Sequence, residues 1–108
     1  MKVVINTDFG GFGLSDEAIQ LYSDLSKANL VKGDHKMYYY DGDEERPFME
    51  WEMPRDDEFL VQVVEKLGED ANGLYSDLKV VEIPDDVNWY IEEYDGREHV
   101  AERHRTWS

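Results

Sequence analysis

The sequence predicts an α+β domain with two helices, a mainly antiparallel sheet and a C-terminal β-hairpin. Three observations carry that expectation. Ala18, Leu21, Tyr22 and Leu25, and again Leu60, Val63, Val64 and Leu67, recur at helical spacing. Short β-branched runs at 2–6 and 78–83 read as strands. Asp95-Gly96 is a two-residue hairpin signal between two extended runs. The order is β-α-β-β-α-β-β-β, with no repeat and no linker, so residues 1–108 form one domain.

The elements follow in turn. Lys2-Val3-Val4-Ile5-Asn6 is a buried strand. Three glycines among Gly10, Gly11, Phe12 and Gly13 call for a turn that other residues resist. Ser15 is an N-cap, Asp16 and Glu17 suit the helix dipole, and Leu14 with Ile19 can staple the start. The first helix is therefore expected over 16–28. Residues 36–53 read as extended, with Tyr38-Tyr39-Tyr40 strongly strand-forming. Met49, Trp51 and Met53 alternate with Glu50 and Glu52, which predicts a half-buried strand with its acids outward. The second helix is expected over 57–67, capped by Asp56 and ended by Gly68. Phe9 and Phe12 are expected on the core. The hairpin turn sets Ile91 opposite Val100 as a core pair and Glu92 opposite His99 as a charge pair. Glu93 opposite Glu98 predicts a wet face, and the return strand is expected to run to about 107.

Composition narrows function by exclusion. The chain carries 26 acidic and 11 basic residues, a net charge of −15, which argues against a phosphate-backbone surface. Three Trp, seven Tyr and four Phe argue for a folded domain over an acidic disordered tail. The absence of cysteine removes disulfides, zinc–cysteine sites and thiol catalysis, and points to a reducing cytoplasm. No run approaches a membrane span, and the first residues lack the basic and apolar regions of a secretory signal. No nucleophile elbow, Walker motif, calcium loop or histidine metal spacing is present, so neither an enzyme, a metal nor a cofactor is expected.

Three constellations remain. The glycine turn leads into a helix N-terminus, where the amides of Gly10, Gly11, Phe12, Gly13 and Ser15 can meet an anion. The C-terminal end gathers Arg97, His99, Arg103, His104, Arg105 and Trp107, which pair guanidinium forks with a stacking ring. The segment 41–58 holds nine acids and two arginines. Its carboxylates, Asp41, Asp43, Glu44, Glu45, Glu50, Glu52, Asp56 and Asp57, could imitate a nucleic-acid backbone.

Several segments also carry a resemblance: Gly10-Gly11-Phe12-Gly13-Leu14-Ser15, Ile83-Pro84-Asp85-Asp86-Val87, Glu92-Glu93-Tyr94-Asp95-Gly96 and His104-Arg105-Thr106-Trp107. In these the chain resembles a widespread group of small tailed-phage and prophage proteins. The resemblance implies an accessory, anti-defence role in the cytoplasm of a bacterial host. Two modes fit that role. One is a sponge that binds a small nucleotide-like signal without catalysis, as anti-Thoeris and anti-CBASS proteins do, through the glycine turn and Arg103, His104, Arg105 and Trp107. The other is an acidic DNA mimic that blocks a basic host defence protein. Neither mode involves direct nucleic-acid or membrane binding, and a homo-oligomer is compatible with both.

Overall fold

The structure is a computed structural model that describes residues 1–103. His104, Arg105 and Trp107 lie outside the described residues, as does the end of the expected return strand. The elements are β1 (Lys2–Asn6), α1 (Asp16–Ser26), β2 (Leu30–Lys32), β3 (Tyr38–Tyr40), α2 (Glu58–Leu67), β4 (Leu78–Glu82), β5 (Trp89–Tyr94) and β6 (Arg97–Glu102). The class is α+β with every ladder antiparallel. The strands form three two-stranded ladders, β1–β4, β2–β3 and β5–β6. No helix among the described residues is long and apolar enough to cross a membrane.

β1 is buried on both faces, which is what its unbroken apolar run requires. Val3 pairs with Val81 and Val4 with Val80 along β4. Only one edge of β1 is used by that ladder. On the other edge the Val4 amide donates to the Arg55 carbonyl at 2.8 Å, and the Asn6 amide donates to the Glu98 carboxylate at 2.8 Å. A loop carbonyl and a side chain thus stand where a third strand would, and close the edge.

The helices start and stop for local reasons. Ser15 Oγ accepts from the Ala18 amide at 3.1 Å, and Leu14 and Ile19 are both buried in the core. α1 ends two residues earlier than expected, because Lys27 turns left-handed at φ 59°. α2 is capped by Asp57, not Asp56: Asp57 Oδ1 accepts from Phe59 and Leu60 at 2.8 and 3.1 Å. Asp57 Oδ2 also accepts from the Tyr22 hydroxyl at 2.9 Å. Burial, then that bond, pushes the Tyr22 phenol well above its ordinary value. Leu60, Val63 and Val64 bury against Ala18, Ile19, Leu30, Phe48 and Leu78 in one cluster.

The middle of the chain departs most from expectation. Leu30–Lys32 is a strand that the sequence pattern did not mark, paired with Tyr38–Tyr40. The chain then folds back, with Tyr40 donating to the Arg46 carbonyl and Phe48 to the Tyr38 carbonyl. The expected strand through Met49, Trp51 and Met53 is instead a 3₁₀ turn over Glu50–Glu52. Its tighter winding breaks the alternation. Met53 enters the core, Trp51 turns out to 57% exposure, and Glu50 turns partly inward.

The hairpin forms in the expected register, with Ile91 opposite Val100, Glu92 opposite His99 and Tyr94 opposite Arg97. Asp95 and Gly96 both have positive φ, 55° and 86°, as a type I′ turn demands. Ile91 and Val100 are half-buried and lie outside the main core cluster. The face bearing Glu93 and Glu98 is not uniformly wet: Glu93 is exposed, but Glu98 is only 7% exposed. β6 packs beside β1, and Glu98 is the residue that closes the β1 edge.

Candidate functional site

Three turns meet at one end of β1: the glycine turn, the turn at 73–76 and the hairpin tip. Asn6 ties them from beneath and is fully buried. Its Nδ2 donates to the Asp8 and Gly96 carbonyls at 2.8 Å each. Its Oδ1 accepts from the Asp8 and Asp77 amides at 3.2 and 2.9 Å. The backbones then touch closely. A Cβ on Gly96 would overlap the Phe9 carbonyl and the Gly11 amide, and one on Gly10 would overlap the Tyr75 backbone. Those contacts explain two of the glycines better than any ligand does.

A buried ion pair supports the same end. Arg55 Nη1 meets Glu98 Oε1 at 2.5 Å, with the two side chains 12% and 5% exposed. The Arg55 guanidinium also lies 3.7 Å from the centre of the Phe12 ring. Phe12 is therefore covered by protein and offers no free face for stacking on that side. Arg55 and Glu98 had no place among the sequence-derived candidates. Nothing in their spacing, 43 residues apart, announces the pair.

What faces solvent here is different from what the sequence suggested. Phe9 does not join the core: it is 58% exposed, and Tyr75 and Tyr94 are 69% and 77% exposed. Arg97 lies 5.7 Å over the Phe9 ring. Among the described residues, the amides of Gly10, Gly11, Phe12 and Gly13 donate to no protein acceptor. The next amides are occupied. Leu14 donates to Glu50 Oε2 at 2.8 Å, and Ser15 to the Ala71 carbonyl at 3.0 Å. The amides of Asp16 and Glu17 at the start of α1 have no protein acceptor among the described residues either, so free donors stand both at the turn and at the helix terminus, separated by Leu14 and Ser15.

The C-terminal arginines are divided. Arg97 stands at the glycine turn, whereas Arg103 lies past the far end of β6, roughly 20 Å along the strand. There its amide donates to the Asn88 carbonyl and its guanidinium covers Tyr90 at 4.8 Å. The structure thus brings Arg97, and not Arg103, to the glycine turn. A sequence signal existed: Arg97 follows the Asp95-Gly96 tip directly, but no local pattern says what that tip touches.

The acidic candidates divide as well. Asp43, Glu44, Glu45, Glu52 and Asp56 are exposed. Asp41 pairs with Arg46 at 3.2 Å, and Asp57 caps α2. Glu50 was expected to point outward, but it is half-buried against the Leu14 amide. Burial pushes its carboxyl above the ordinary 4.5, the Leu14 bond pulls it partly back, and Asp16 adds repulsion. A carboxyl raised in the folded state holds its proton more tightly than in the unfolded chain. Its contribution to stability is full below about 4.5 and is lost as pH rises through the folded value. Glu50→Gln keeps an oxygen for Leu14 and removes the charge. The variant is expected to melt above the parent protein at pH 7, with the difference vanishing near pH 4, in thermal scans across that range.

No protein-family model, curated protein or solved structure matches this chain.

Proposed function

We propose that the protein is a non-catalytic phage or prophage accessory protein that captures a small anionic, nucleotide-like ligand in the host cytoplasm. The observation that carries this reading is the glycine turn. Four consecutive amides with no acceptor among the described residues stand beside an exposed Phe9 and the Arg97 guanidinium. Amides and guanidinium suit a phosphate, and an exposed ring suits a base. The turn is held from below by buried, satisfied groups, so little ordering remains to be done on binding. Sequestration needs neither an acid–base pair nor a metal.

Stacking on a base falls to Phe9, because the Arg55 guanidinium covers the Phe12 ring. His104, Arg105 and Trp107 remain candidates on sequence grounds alone. Native mass spectrometry of gently purified protein tests for a retained ligand, and calorimetry with ADP-ribose and a cyclic dinucleotide tests for capture. Arg97→Ala is expected to weaken binding at least tenfold, and Arg103→Ala less than twofold. Loss of binding in Arg105→Ala with Arg97→Ala unaffected would move the site to the C-terminal cluster. Salt-sensitive capture of a basic protein, abolished by reversing Asp43, Glu44 and Glu45, would favour mimicry instead.

A further inference from the structure

A second concave site lies between α1 and the 48–51 segment. It encloses about 260 Å³ and is walled by Ile19, Met37, Tyr38, Phe48 and Trp51. Two charged residues, Glu50 and Lys36, complete the lining. The 3₁₀ turn creates this arrangement. It sets Glu50 and Trp51 on one rim, where the expected strand would have sent them to opposite faces.

Three features distinguish this cavity from a packing gap. Trp51 and Met37 are exposed at 57% and 38%, an open apolar rim in a highly charged molecule. Glu50 spends only Oε2 on the protein. Its Oε1 has no protein donor among the described residues, and no buried polar side-chain atom there lacks a partner, so Oε1 is open to the cavity or to solvent. Finally, His35 and Lys36 both hold left-handed backbone, at φ 61° and 62°, although neither is glycine. Such conformations are strained for residues with a Cβ and are retained where the surroundings impose them. Here they place Lys36 and Met37 on the rim. Lys36 makes no ion pair within 4 Å among the described residues.

We propose that this cavity binds a single planar heteroaromatic ring system of nucleobase size that presents an N–H donor edge, guanine being the plainest case. The ring packs on Trp51 and Met37, its donors meet Glu50 Oε1, and the Lys36 ammonium serves a ring acceptor. A purely apolar occupant would leave the half-buried Glu50 Oε1 without a donor. The size suits one ring system and little more. Glu50 borders the glycine turn, through its bond to the Leu14 amide and its Oε1 beside Gly13, but Arg97 and Phe9 do not line the cavity, so the Arg97 test and the Trp51 test are read separately.

Calorimetry with guanosine, and with purine riboside, which keeps the ring but lacks the donor edge, tests the proposal. The location is read from tryptophan quenching, as the difference between the parent protein and Trp51→Phe. Guanosine is expected to quench Trp51 and to bind at least tenfold more tightly than purine riboside. Glu50→Gln, which places an amide donor against the ring donors, is expected to weaken guanosine at least tenfold while its melting temperature does not fall. The proposal is overturned if guanosine leaves Trp51 unquenched at millimolar concentration. It is equally overturned if guanosine and purine riboside bind alike and Glu50→Gln changes neither.

Discussion

Replacing Asn6 with Ala is expected to lower the free energy of unfolding by about 3–5 kcal/mol. The amide side chain makes four hydrogen bonds from a fully buried position. Removing it strands two carbonyls and two amides, and each buried group left unpaired costs about 1–3 kcal/mol, with water recovering the more exposed ones. Domains of this size are stable by only about 5–15 kcal/mol in total. Asn6→Asp is expected to fare no better. It keeps the two acceptor contacts but turns a carboxylate oxygen on the Asp8 and Gly96 carbonyls, beside Glu98. Urea unfolding followed by far-ultraviolet circular dichroism measures both. A loss under about 1 kcal/mol would mean that the three turns hold together without the side chain.

Arg55→Met is expected to cost a further large amount, about 3–5 kcal/mol, because it leaves the Glu98 carboxylate buried without its cation. The second half of a double-mutant cycle sharpens the point. Glu98→Gln still offers an oxygen to the Asn6 amide, and a methionine at 55 can still cover Phe12. The double variant Arg55→Met/Glu98→Gln is therefore expected to be more stable than Arg55→Met alone, with a coupling of about 2 kcal/mol or more. Strict additivity would show that the pair is not an energetic unit. The cycle also bears on function. If the glycine turn holds a ligand, loosening its support lowers affinity along with stability, whereas Arg97→Ala lowers affinity alone.

The site was partly legible. The glycine turn was visible as a turn beside a helix start, and the arginines were visible as the cations of an acidic chain. Which arginine reaches the turn was not visible, because that depends on how the hairpin lies against β1. Phe9 and Phe12 look equivalent in sequence, two aromatic residues flanking glycines. One is solvent-facing and the other lies under Arg55, a residue more than 40 positions away. Glu50 illustrates the same limit. Its alternation with Trp51 and Met53 reads as a strand, yet a 3₁₀ turn lets the carboxylate reach the Leu14 amide, 36 residues distant.

Local rules determined the pieces. Side-chain caps, apolar spacing and the Asp95-Gly96 turn act within a few residues, and so the start of α1, the helix faces and the hairpin register follow from the sequence alone, with the α2 cap displaced by one residue. Tertiary structure decided which charges are structural and which are free. Glu93 and Glu98 face one another across the hairpin, and nothing between them in the chain separates their roles. Glu98 is buried because β1 has an edge amide to satisfy and Arg55 brings a guanidinium to meet it. A carboxylate is tolerated in the interior only where donors from distant segments converge on it, and that convergence is a property of the fold.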